Sequence, residues 1–289
     1  MHLLPAAPLW IGSDHHYPEE RPARRVSVDA FWIDETPVTN RLFAAFVAET
    51  GHVTLAEMWP DPKDYPDAPP DMVKPGSSVF VGTSGPVTLD DPLRWWRYVL
   101  GADWRHPDGP GSSLAGREDH PVVHVAHQDA NAYALWNGSR LPTELEWEYA
   151  ARGGLDRADY AWGDRLQPGP APLANYWLGD FPWRRAPGSP WRTTSPVRAY
   201  PPNPFGLYDL IGNVWEWTDD AYEVGPARIG ARSCCAPHDP AARFGRKVVK
   251  GGSHLCTEAY CQRYRPAARQ AQTVDTSTSH IGFRCARSA

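Results

Sequence analysis

Apolar residues recur at helical spacing in three places along the chain. Residues 40–51 carry Leu42, Phe43, Phe46 and Val47 on one side and stop at Gly51, which predicts a short amphipathic helix. Residues 129–136 form a briefer helix ending at Asn137-Gly138. Residues 143–152 open with Thr143 and Glu146 in capping-box positions and stop at Gly153-Gly154. Alternating or β-branched runs at 25–33, 121–126, 247–250 and 281–286 predict short strands. Elsewhere no period holds. From Pro60 to Pro121, and again after Gly154, Pro, Gly, Asp and Trp dominate. Coil of that length belongs in a compact domain when its own side chains pack it.

Composition supplies the means. The 289 residues are 42% hydrophobic and 22% charged, which fits a folded globular chain. The 31 prolines and 24 glycines interrupt regular structure, and 14 Trp, 12 Tyr and 8 Phe offer flat rings to hold irregular backbone. The expected class is α+β with abundant ordered coil. No repeat and no Gly/Ser linker divides the chain, so one domain over residues 1–289 is expected. A net charge of −5 provides no basic field and argues against nucleic acid as a partner. No stretch approaches eighteen uninterrupted apolar residues, so no membrane span is expected. Met1-His2-Leu3-Leu4-Pro5 lacks the basic start and apolar core of a signal peptide, and five cysteines is an odd count. A cytoplasmic location with free thiols is expected.

Phosphate-cradling glycine loops, serine nucleophile elbows and zinc-protease helices are absent from the sequence. His15-His16 is a local pair. On a strand, His120 and His124 would share one face and His127 the other, which fits half-exposed histidines better than a metal site. Cys256 and Cys261 are five steps apart, about 140° on a helix, and converge only on extended or looped backbone. Gly251-Gly252 just before them marks a tight turn or a close approach. Two convergent thiolates without histidine or carboxylate companions suit a soft ion, Cu(I) above all. A disulfide, or two packed cysteines, fits the spacing as well. In Gly206-Leu-Tyr-Asp209-Leu-Ile-Gly212-Asn-Val-Trp215-Glu216-Trp217 a carboxylate lies between two tryptophans and needs a partner. Asp209 and Glu216 with intervening carbonyls could hold calcium, or could be capping and salt-bridged acids.

Taken together, Gly212-Asn-Val-Trp-Glu-Trp217, Lys250-Gly-Gly-Ser253, Cys256-x4-Cys261, Arg263-Tyr-Arg265, Ala267-Ala-Arg269 and Ile281-Gly-Phe-Arg-Cys285 resemble the formylglycine-generating enzymes, the sulfatase-modifying oxidases. Pro37-Val-Thr-Asn40, Trp104-Arg-His-Pro107, His120-Pro-Val-Val123 and Arg140-Leu-Pro-Thr-Glu-x-Glu-Trp-Glu-Tyr149 extend the match upstream in the same order. The resemblance implies a single C-type-lectin-like domain. It implies oxidation by O2, with a thiol reductant, of the cysteine in Cys-x-Pro-x-Arg of an unfolded sulfatase polypeptide to Cα-formylglycine. It further implies that Cys256 and Cys261 hold Cu(I), that the substrate thiolate joins them, and that a thioaldehyde is then hydrolysed. Ser253, Trp215 and Tyr260 match positions lining that site. Asp209, Gly212, Val214 and Glu216 match a structural calcium site, the middle two through carbonyls. Asn175, Tyr176 and Trp191 match a second one.

The departures are specific. Ser189 stands where some members place an aspartate in the second calcium set. Ala134, Ala151 and Pro266 stand where secretory-pathway members have disulfide cysteines, which leaves Cys285 as a packed thiol. Cys234-Cys235 lies in a Pro-rich loop with a structural or incidental role. Two rival readings are a non-catalytic lectin-like binding module, which would not need the cysteine pair, and a non-haem iron sulfoxide-synthase-type oxidase, which would need three histidines.

Overall fold

The computed structural model describes residues 1–69, 72–223 and 244–289; Cys234-Cys235 lies outside them. The three expected helices form where their local signals place them. Helix α1, Asn40–Thr50, is capped by the Thr39 hydroxyl accepting from the Leu42 N–H and ends at Gly51 in left-handed conformation, φ 68°. Helix α2, His127–Trp136, starts two residues early because the Asp129 carboxylate accepts the Ala126 N–H at 2.9 Å. Helix α3, Glu144–Arg152, has the Thr143–Glu146 capping box and ends at Gly153, φ 59°.

Among the described residues the strands are short and scattered over five small sheets. Strands β1 (His2–Leu4), β2 (Ala7–Ile11), β3 (Arg24–Val28) and β4 (Phe31–Ile33) precede α1, and β5 (Gly76–Phe80) and β6 (Trp96–Leu100) follow it. After α3 come β7 (Gly179–Asp180), β8 (Arg184–Arg185), β9 (Trp215–Ala221), β10 (Arg246–Lys250), β11 (Arg269–Thr273), β12 (Ile281–Gly282) and β13 (Ala286–Ser288). The largest sheet runs β11-β10-β9-β12, with β12 parallel to β9 and the other pairs antiparallel. A three-stranded sheet places β4 between β1 and β13.

Two expected strands are each two strands. The run 25–33 breaks at Asp29-Ala30 because β3 pairs with β2 while β4 pairs with β1 and β13. The run 281–286 breaks because β12 belongs to the β9 sheet and β13 to the β4 sheet; Phe283, Arg284 and Cys285 cross between them fully buried. The expected strand at 121–126 does not form. A lone bridge joins Thr39 to Pro121, and His124 takes φ 61°, which ends any alternation. The three histidines therefore go separate ways. The His120 ring meets the Thr194 hydroxyl at 2.9 Å, His124 lies between the Ser77 hydroxyl (2.7 Å) and the Pro107 carbonyl (2.9 Å), and His127 packs edge-on to Trp217.

The main core gathers α1, α2, Trp104, Trp215, Trp217, Phe283 and both Cys256 and Cys261. Rings hold the coil as expected: Phe43 contacts Phe46, Trp104, Tyr133 and Phe283, and Phe181 contacts Phe80, Trp95, Trp177 and Tyr260. Among the described residues no helix is long and apolar enough to cross a membrane.

Candidate active site

Strand β10 delivers the cysteine segment. Its last residue, Lys250, is fully buried and bonds Glu148 of α3 at 3.1 Å. The chain then turns through Gly251, φ 91°, and Gly252, φ 69°. A Cβ on Gly252 would lie 2.9 Å from both the Arg263 carbonyl and the Tyr264 nitrogen, so glycine lets the two ends of the segment pass in contact. Two consecutive turns follow. The Cys256 N–H donates to the Ser253 carbonyl at 2.9 Å and the Cys261 N–H to the Thr257 carbonyl at 2.8 Å. This folded path cancels the divergence a continuous helix would impose, and the two sulfurs meet at 3.1 Å.

The pair is electrostatically unequal. Burial pushes the Cys256 thiol well up. Cys261 is drawn down toward about 7 by the hydrogen bond from Cys256 and by the backbone and guanidinium of Arg263. The two sulfurs share a hydrogen bond in a buried setting, with the Arg263 guanidinium acting on Cys261. Both are free thiols, 2% and 9% exposed, with no hard donor between them. Soft, close and few, these donors fit Cu(I).

The residues expected around the pair are at hand. The Ser253 N–H points to the Cys256 sulfur at 3.4 Å, and its hydroxyl accepts the Leu255 N–H at 3.2 Å. Trp215, buried, belongs to the same core cluster as both cysteines. Tyr260 is 37% exposed, stacks on Phe181 at 5.0 Å and stands edge-on to Trp95 at 5.3 Å. Tyr260 adjoins Cys261 in sequence, so these packed rings flank the cysteine segment.

Glu216 has the partners its burial demands. Arg284 grips it with two bonds, 2.7 and 2.8 Å, and the Trp147 indole donates a third at 2.8 Å. Asp209 differs. Burial lifts its carboxyl to about 6, against the Arg198 N–H that donates to it at 2.8 Å. This undercompensated carboxylate, with the Gly212 and Val214 carbonyls, fits a hard cation, whereas the Glu216 charge is already answered by Arg284. In the second set the Asn175 amide nitrogen donates to the Thr193 carbonyl, Trp191 lies edge-on to His120, the Tyr176 and Ser189 hydroxyls are buried without partners, and none of these residues brings a carboxylate.

A family model described as a sulfatase-modifying factor enzyme 1-like domain matches residues 1–289. The chain belongs to that family. A formylglycine-generating enzyme of Mycobacterium tuberculosis is 51% identical over 98% of this chain and 95% of its own length. A Bos taurus relative named an inactive Cα-formylglycine-generating enzyme 2 is 38% identical over 99% of this chain and 87% of its own length. In fold, the structure of PvdO from Pseudomonas aeruginosa superimposes with a TM-score of 0.64 at 21% identity, over 99% of this chain and 93% of that one. With this family goes the expected mixed fold of little helix and much coil, and the chain is an enzyme of the formylglycine-generating kind.

Sequence reasoning did not assign Arg263 to the Cys261 sulfur, Arg284 to Glu216, or Phe181 and Trp95 to Tyr260. Each partner lies far along the chain or in coil without a period. The one local signal was an arginine two residues after a cysteine.

Proposed function

We propose that this chain is a copper-dependent oxidase that converts the cysteine of a Cys-x-Pro-x-Arg motif in a sulfatase polypeptide to Cα-formylglycine, with O2 as oxidant and a thiol as reductant. The observation that carries this reading is the buried pair of sulfurs 3.1 Å apart without a hard ligand. Cys256 and Cys261 would hold Cu(I), which supplies a site where O2 and a substrate thiolate react. In balance, the substrate Cβ and its thiol lose two electrons and two protons to give a thioaldehyde. Two reductant thiols lose two more as they become a disulfide. O2 takes all four to become two waters. One water hydrolyses the thioaldehyde to the aldehyde and H2S.

The chain's own residues shape that chemistry. Trp215 walls the sulfurs and limits water there. Ser253 fixes Cys256 through its N–H, and Tyr260, half in solvent, offers a hydroxyl beside the entry. Asp209 with the Gly212 and Val214 carbonyls serves a structural calcium, with Glu216 behind them locked to Arg284. The proposed location is a reducing cytoplasm, a reading that the free thiols support. The iron-oxidase reading finds no support in His120, His124 and His127, which face different partners.

The deciding experiment is mass spectrometry of a Cys-x-Pro-x-Arg peptide incubated with copper-loaded protein, O2 and a thiol. The cysteine should convert to the aldehyde, trapped as an oxime with hydroxylamine. A peptide that stays unmodified with copper bound would refute the activity.

A further inference from the structure

The cysteine segment is gripped from outside by residues 12–22. This strap closes on itself, with the Ser13 N–H donating to the Glu20 carbonyl at 3.1 Å and Gly12 at φ 74°, where a Cβ would lie 2.4 Å from that same carbonyl. One end is tied to α3, the Gly12 N–H donating to Glu148 at 2.8 Å, and Glu148 also holds Lys250 at the head of the cysteine segment. The other end reaches the residues just after Cys261. Glu20, buried, takes both sides of the Arg265 guanidinium, and the Arg265 Nε–H donates to the Gln262 carbonyl at 2.9 Å. The Tyr17 hydroxyl accepts the Gln262 N–H at 3.1 Å across 245 positions of sequence. The Arg263 guanidinium lies 3.9 Å over the Tyr17 ring and donates to Glu19 at 2.6 Å. Its Nε–H is buried with no acceptor.

Arg263 therefore stands between the Glu19 carboxylate and the Cys261 sulfur. Its guanidinium serves the strap and the sulfur together, so the strap sets where it lies beside the sulfur. Without the strap, the 261–263 backbone and this guanidinium would lose the contacts that fix them. We propose that Tyr17 and Glu19 are positioning residues that hold Arg263 and the 261–263 backbone, keeping the Cys261 sulfur beside Cys256 for a soft metal. The proposal rests on the copper reading above and adds to it how the second sulfur is held in place for the ion. Glu20 has a different task, since its pairing with Arg265 anchors the fold.

The test compares full-length wild type, Tyr17→Phe, Glu19→Gln and Glu20→Gln by three measurements. These are Cu(I) competition against a chromophoric chelator, hydrogen exchange of residues 257–264 in the metal-free protein, and thermal melting. Tyr17→Phe and Glu19→Gln should weaken Cu(I) binding about 10–100-fold, as loss of a group orienting a ligand does. Exchange in 257–264 should quicken several-fold while the melting temperature stays near wild type. Glu20→Gln should lower the melting temperature. In an Arg263→Met background, Glu19→Gln should cost no further affinity, because its effect passes through that arginine. If wild type binds Cu(I) and both strap variants match it, the positioning role is wrong and the copper reading stands. A loss of affinity that only follows a fall in melting temperature would also overturn it. If wild type binds no Cu(I), the copper reading fails, and unchanged exchange in both variants then overturns the positioning as well.

Discussion

A lone buried thiol is an inert packing group, whereas two that meet at 3.1 Å with a guanidinium beside one of them have the make-up of a soft-metal ligand set, the role proposed for them. Replacing Cys256 or Cys261 by Ala should lower Cu(I) affinity by orders of magnitude and abolish peptide oxidation, since one thiolate competes poorly with buffer thiols. Cys285 is buried with its thiol pushed up by burial, so Cys285→Ala should spare copper and cost about 1–2 kcal/mol of stability at most. Chelator competition on the three single variants separates these outcomes, and near-wild-type affinity in either site variant would sink the assignment. The two acids near Trp215 should also part company. Glu216→Gln leaves Arg284 buried without its charge partner and should destabilise by about 3–5 kcal/mol with or without calcium. Asp209→Asn should remove only the calcium-dependent part of stability, measured as the difference in melting temperature with calcium and with chelator. Calcium stabilisation that survives in Asp209→Asn would show the site to be elsewhere.

At the scale of elements, what could be read from the sequence was what is decided locally. Thr143 and Glu146 meet three residues apart, and Gly51 and Gly153 need only their own φ, so the helices were legible. The runs at 25–33 and 281–286 were legible as strand-forming but not as divided, because division depends on which sheet each half joins. The stretch 121–126 has β-branched composition, yet its backbone bonds go to Val38 and Thr278 and not to a partner strand. The cysteine pair was legible as chemistry from spacing and glycines, while its setting in Arg263, Glu19 and Phe181 was not, since those contacts are tertiary. The turn at 121–126 has a measurable consequence. His124 is fully buried and burial lowers its pKa to about 4, against about 6.5 in the unfolded chain. Between those values the unfolded chain binds the extra proton, so stability is intact above about pH 6.5 and is lost as pH falls toward 4. The slope is about 1.4 kcal/mol per pH unit for each such histidine. His280, lowered by the same cause to about 3, adds to it. Denaturant unfolding from pH 7 to 5 should show this loss, and His124→Gln should flatten it by one proton's worth. An unchanged slope in that variant would mean that the acid sensitivity comes from other groups.

Among the described residues ring contacts hold the coil together, and that packing bears on what can enter. The sulfurs are 2% and 9% exposed, while Tyr260 beside them is 37% exposed and fixed between Phe181 and Trp95. On the proposed reading, a cysteine on the surface of a folded client should be hindered from reaching such buried sulfurs by its own backbone and neighbours. An extended chain can thread one side chain inward and lay the flanking residues along the wall of stacked rings at Tyr260, burying apolar area as it does so. The expected order of turnover is therefore a short Cys-x-Pro-x-Arg peptide, or a sulfatase held unfolded, ahead of the same sulfatase refolded with its motif cysteine intact. The difference should lie mainly in kcat/KM, since folding of the client removes the binding-competent form and lowers apparent affinity by the fraction left unfolded. Adding urea at a concentration that opens the client but not this enzyme should restore the rate. Tyr260→Ala should raise KM for the peptide, because the stacked wall loses its outer ring, and should leave copper affinity unchanged. Faster conversion of the refolded sulfatase than of the peptide would show that the client docks as a folded surface and that the wall does not select extended chains.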